Sequence, residues 1–205
     1  MTKRRKWTVI PGFFALAAAA TVLSAYSGAS SSEGRAPEQP VHFPHPRHAG
    51  AVAQGGLGMN CVYCHFSANK SPDPGMPAVS TCMGCHSVVL GKADSSKAQI
   101  KKLTEYWTKK LPVPWERIHK VPDYVQFPHM RHVNAGVTCQ TCHGQVQGMG
   151  RVQQVASLNM GWCVNCHVNG YKPADAVRNT EGYPTAADEA LPPKKARYDC
   201  SACHY

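Results

Sequence analysis

Beyond residue 30 the chain has few of the residues that usually build a protein interior. Phe, Trp and Tyr make up 8% of its 205 residues, aliphatic runs are short, and 17 glycines and 16 prolines interrupt it repeatedly. The length suits one ordinary domain, but this composition excludes an ordinary side-chain core. Acidic residues are also scarce: 12 Asp and Glu face 22 Lys and Arg, a formal charge of +10. Such an excess can signal a nucleic-acid or anionic-membrane partner. Four of those charges are Lys3, Arg4, Arg5 and Lys6, which leaves 10 − 4 = +6 for the rest.

Cysteine and histidine, by contrast, are abundant, with 10 and 11 copies. Every cysteine falls in a C-x-x-C-H pentapeptide: Cys61, Cys64 and His65; Cys82, Cys85 and His86; Cys139, Cys142 and His143; Cys163, Cys166 and His167; Cys200, Cys203 and His204. C-x-x-C alone is common to disulfide frameworks and zinc ribbons. Neither requires a histidine after every second cysteine, a run that chance would produce roughly once in a few million chains. The spacing is that of c-type haem attachment, in which two thiols become thioether links and the histidine binds iron. Five covalently attached haems are expected. They supply the missing interior, so the predicted fold is mainly α with extensive loop, wrapped around a haem stack. Their propionates, roughly two negative charges apiece, offset most of the basic excess and argue against a nucleic-acid partner.

Six histidines remain: His42, His45, His48, His119, His129 and His132. Four of them lie in a repeated hexapeptide, "FPHPRH" at 43–48 and "FPHMRH" at 127–132, and each copy precedes two haem motifs. The chain is thus an internal duplication, 43–86 and 127–167, with the Cys200 motif standing alone. Histidines three apart share one face of a helical turn. A haem is far wider than a turn, so each bracket should send His45 and His48, or His129 and His132, to two different irons as distal ligands. His119, on a Pro-rich extended segment before the second bracket, is the expected fifth distal ligand. Met149 and Met160 are rivals for one iron, and a Met/His pair raises a haem's potential. His42 lies outside the repeated pattern and is not expected to bind iron.

The stretch "ADSSKAQIKKLTEYWTKKL" between the halves predicts a helix capped by Ser95 or Ser96, with Ile100, Leu103 and Trp107 on one face and Pro112 at its end. Its lysines read as a solvated face. Residues 168–199 read as loop. At the N-terminus, "WTVIPGFFALAAAATVLSAY" is twenty charge-free residues behind a basic cluster, long enough to cross a bilayer as one transmembrane helix. The basic side stays cytoplasmic, so the rest lies outside. The rival reading is a cleaved signal peptide ending near Ser27-Gly28-Ala29. An anchor is favoured, because the apolar run exceeds the usual length of a signal segment. The expected organisation is a membrane anchor over 1–29, a polar linker over 30–42 and a periplasmic pentahaem domain over 43–205, held to the inner membrane.

The stretches "FPHPRHAG", "RIHKVPDYVQFPHMRHVNAGVTCQTCHG" and "SLNMGWCVNCH" resemble the pentahaem cytochrome c subunit of alternative complex III, a bacterial membrane-bound quinol oxidoreductase. The brackets are also similar to those of small multihaem cytochromes of the c3 type. The resemblance implies a subunit that is not catalytic alone. It relays electrons from quinol, by way of an iron–sulfur or molybdopterin-like partner, to a monohaem cytochrome or soluble periplasmic acceptor, alongside polytopic membrane subunits. A multihaem reductase of a small nitrogen compound and a stand-alone membrane quinol dehydrogenase are the alternatives. The first needs an iron with an open position, and the second a quinol pocket that no stretch identifies. If the anchor is retained, intact mass of the mature subunit should include Met1 or Thr2 and salt should not release it from membranes; a terminus at Ser30 would establish a signal peptide instead.

Overall fold

The computed structural model describes residues 12, 14–22, 32–170 and 196–205. The chain divides into two compact units, residues 1–31 and 32–205. In the first, residues 14–22 are helical. Most of the expected membrane anchor lies outside the described residues, and among those described no helix is long and apolar enough to cross a membrane.

The second unit is built of short helices joined by loops, with no strand among the described residues; its only β pairing there is an antiparallel bridge between Val125 and His204. In order the helices are α1 (His45–His48), α2 (Cys61–Cys64), α3 (Val79–His86), α4 (Asp94–Thr108), α5 (His129–Asn134), α6 (Cys139–His143) and α7 (Met160–Asn169). Single 3-10 turns occupy Val52–Gln54, Val146–Gly148 and Cys200–Ala202. The brackets are therefore α1 and α5, and every haem motif sits on a helical turn that puts its two cysteines on one face. Proline explains where the brackets begin: Pro44 and Pro128 stand at the N-caps in extended conformation, with φ set by the ring. Asn60 and Asn159 cap α2 and α7 by accepting hydrogen bonds from the backbone N–H of Val62 and Trp162.

Helix α4 is the one long element, 15 residues, and it differs from expectation at both ends. It starts at Asp94 behind Ala93, with no side-chain cap, so Ser95 and Ser96 lie inside its first turn. There Asp94 complements the positive end of the helix dipole and pairs with Lys97 at 3.1 Å. The helix stops at Thr108, before Pro112, because Lys110 turns left-handed at φ 54°. Its inward face carries Leu103 and Tyr106, while Trp107 is 49% exposed. Leu103 packs with Val41, Met83 and Val113, ringed by Val79, Cys82, Tyr106 and Trp115.

That cluster is nearly the whole apolar core: the only other buried hydrophobic residue among those described is Ala156. Exposed apolar side chains instead flank the cysteine motifs, with Tyr63 and Phe66 beside the first, Val88, Val89 and Leu90 after the second, and Tyr198 and Tyr205 around the last. The polar stretch expected to be a linker is fastened down from residue 34 onward. Gly34 and Arg35 exchange backbone hydrogen bonds with Gln154, which is buried; Gln39 does the same, side chain to backbone, with Glu116; and Glu38 pairs with Arg151 at 3.1 Å.

The two brackets are closed by the same backbone contact. His48 and Met59 are joined by a hydrogen bond from Met59 N–H to the His48 carbonyl, 2.9 Å, and its counterpart runs from Val137 to His132, 3.1 Å. The extra residues of the first copy loop out and return to the same point. The halves also grip each other reciprocally. The α5 bracket donates from His129 N–H to Pro72 O and from Met130 N–H to Ser71 O, in the loop after His65; α1 packs on the 3-10 turn after His143. A chain made without haem attachment has little left to bury. It should lack a cooperative thermal transition by circular dichroism, whereas the holoprotein should unfold cooperatively.

Candidate haem sites

Each bracket is organised by its phenylalanine. Phe43 stacks on His48 with centroids 4.3 Å apart and meets His45 edge-on at 4.8 Å; Phe127 does the same to His132 at 4.3 Å and His129 at 4.8 Å. One aromatic ring thus fixes the planes of two imidazoles. The proline before the first histidine adds a second restraint: Nδ1–H of His48 donates to the Pro44 carbonyl and that of His132 to the Pro128 carbonyl, both at 3.1 Å. With Nδ1 so engaged, Nε2 presents its lone pair outward, the usual arrangement of a metal-binding imidazole. His86 donates likewise to Val89 O at 2.8 Å, and His167 to Arg197 O.

The bracket histidines face the motif histidines. Ring centroids lie 6.1 Å apart for His48 and His86, 6.1 Å for His132 and His167, and 6.4 Å for His129 and His143. A metal-bound imidazole nitrogen sits roughly 2 Å from the metal and the ring centre roughly 1 Å beyond, so two imidazoles on opposite sides of one iron have centroids roughly 6 Å apart. All three separations fit that spacing. His45 is the remaining bracket residue, and its neighbour is His65. Among the described residues no three of His, Cys, Asp and Glu converge as in a zinc site, and no disulfide joins the cysteines. Three bracket imidazoles each face one motif imidazole, an arrangement that suits an iron whose other four ligands come from a porphyrin.

Electrostatics favour the same use. Burial, reinforced by His65 and His48, takes His45 from its ordinary 6.5 to about 4; burial, with His119, His129 and His65 nearby, takes His143 to about 3. Burial also lowers His48, His65, His119, His129 and His132. Neutral imidazoles with available lone pairs result, as iron ligation requires. Burial pushes the Cys142 thiol up to about 11 and raises Cys64, Cys82, Cys163 and Cys166. All ten candidate histidines are partly buried, while His42 is exposed.

Two placements differ from the simplest expectation. His119, the histidine left over for the fifth motif, packs edge-on against His143 at 4.3 Å, with its Nε2 buried and unpartnered. Its segment is held there by the Gln39–Glu116 contacts and by Arg117 donating to the His119 carbonyl. His204 stacks instead on Tyr124 at 5.7 Å. Met149 lies near the third motif: a Cβ on Gly144, the residue after His143, would come within 3.1 Å of its methyl group. Met160 opens α7 and is 69% exposed. The phenylalanine and proline of each bracket were not singled out as site residues from sequence. Their signal was present, because both positions are identical in the two copies.

Imidazole pairs an iron's width apart, each beside a C-x-x-C-H turn, define a multihaem cytochrome c, and the chain carries c-type haem. Residues 131–205 match the family model described as cytochrome c3. Over 106 residues the chain is 33% identical to the menaquinone reductase, multiheme cytochrome c subunit, of Nitratidesulfovibrio vulgaris (strain Hildenborough); the match covers 52% of this chain and 46% of that protein. The similarity reported is thus to a menaquinone reductase subunit, whereas the sequence motifs pointed to alternative complex III. Replacing His132 with Gly should leave haem content unchanged but convert one low-spin haem to a carbon monoxide-binding form, while H42A should leave the spectrum alone. Equal spectra for the two variants would remove the bracket from the ligand set.

Proposed function

We propose that this chain is a membrane-anchored pentahaem relay, passing electrons between a quinone-linked partner and a second electron carrier on the periplasmic side. The pairing of bracket and motif histidines is the observation that carries the reading. Bound haem supplies one-electron exchange between ferric and ferrous iron. The C-x-x-C-H cysteines would tether it, and the paired bracket and motif histidines would ligate its iron in either redox state. Geometry then changes little on electron transfer, and small molecules are kept off the metal. That favours a relay over a nitrogen-compound reductase, whose substrate iron needs an open position.

As in the complex its motifs resemble, the chain sits beside an iron–sulfur or molybdopterin-like subunit, a monohaem cytochrome c and polytopic membrane subunits. Electrons enter from quinol oxidation and leave to a periplasmic acceptor. The menaquinone reductase relative supports one alternative, in which the same wire runs toward quinone. Purification of the native membrane complex, followed by rapid mixing, separates the two. Haem reduction by a quinol analogue, with release to an oxidised soluble cytochrome, is expected; reduction only by a reduced cytochrome, with electrons appearing in quinone, would reverse the direction. A lone homo-oligomer without partner subunits would overturn the relay-subunit reading.

A further inference from the structure

The order of the motifs along the chain is not the order in which the fold places them. Within the first half, α1 ties the His86 and His65 sites together, since His48 faces His86 and His45 neighbours His65. Within the second, α5 ties the His143 and His167 sites, through His129 and His132. The halves meet at their first sites. His129, which faces His143, is held by the Pro72 carbonyl from the loop just after His65, and Asn134 of α5 donates to Asn69 O of that loop at 3.1 Å. The last motif joins the far end. Its approach segment is bound to His167, by Ala196 N–H to the His167 carbonyl at 3.3 Å and by the His167 ring to Arg197 O, and Cys203 neighbours Cys163.

Building on the relay reading, we propose that the haem sites run in the order His86, His65, His143, His167, His204. The wire crosses between the duplicated halves at the His65–His143 junction, and Asn134 with the 69–72 loop acts as the positioning contact. The Cys82 and Cys200 motifs are then its two ends, although Cys82 belongs to the second motif in sequence.

Potentiometric titration of the full chain, resolved haem by haem with electron paramagnetic resonance, tests this order. A distal His→Met change tags one haem by raising its potential. H48M tags an end site and should displace the titration of one other haem; H45M tags an interior site and should displace two. In the H45M background, Asn134→Ala should weaken the displacement at the His143 haem, spare that at the His86 haem and leave haem content unchanged. Displacement of two haems by H48M, or of one by H45M, would overturn the order. If the tagged chains do not mature, inter-haem nuclear Overhauser contacts in the reduced unsubstituted protein decide the same point. The His65 haem should contact both the His86 and His143 haems, and its failure to contact the His143 haem would refute the crossing. Loss of the relay reading would look different: the isolated chain would contain haems that bind carbon monoxide stoichiometrically, whatever their order.

Discussion

Everything in the haem-motif unit depends on holding two imidazoles on a single helical turn so that each reaches a different motif histidine. A four-residue helix has almost no stability of its own, since nucleating the first turn costs more than one hydrogen bond returns. Here the turn is held from outside. A proline fixes the entry and lends its carbonyl to the second histidine, and a phenylalanine touches both rings. The restraint costs little entropy because proline and phenylalanine have few torsions to lose. Its benefit is to keep Nε2 of each ring in a set direction before any iron arrives.

This arrangement also explains the thin hydrophobic core. Val41, Met83, Leu103 and Val113 suffice to seat α4 against α3, but among the described residues no comparable cluster lies under the second half. Exposed Tyr63, Phe66, Val88, Val89 and Leu90 lie within or just after the first two cysteine motifs in the sequence, where they are available to line a flat apolar ligand. In such a protein the cofactor takes the part that interdigitating side chains play elsewhere. The unit is then as much a scaffold around its prosthetic groups as a fold that happens to bind them.

The motifs, the brackets and the extended segment around His119 were legible because each is a local pattern, and two of them occur twice. What needed coordinates was everything set by partners distant in sequence. Trp107 and Tyr106 are both compatible with the inner face of α4, and only the position of Trp115 and Val113 selects Tyr106. The stretch after residue 33 looks like a tether by composition, yet its polar side chains find Glu116 and Arg151 and its backbone pairs with that of Gln154. His119 shows the same limit. Its distance in sequence from the second bracket does not reveal that it rests on His143 rather than near His204. The reciprocal docking of the halves could not be read either, because it runs through backbone carbonyls at Ser71 and Pro72 that carry no side-chain signature.

The loop between the first bracket and its haem motif has a neck in which the chain passes very close to itself. A Cβ on Gly56 would lie 2.0 Å from the Gly50 carbonyl oxygen, and one on Gly50 would lie 2.2 Å from that of Pro46. Above the neck, residues 51–55 are mostly exposed, and below it Met59 closes onto His48 as Val137 closes onto His132. The two glycines therefore insulate the bracket from whatever the loop contains. This excursion can be lengthened, shortened or decorated without disturbing the bracket imidazoles, and a reporter grafted between the glycines would leave the ring contacts of Phe43 as they are.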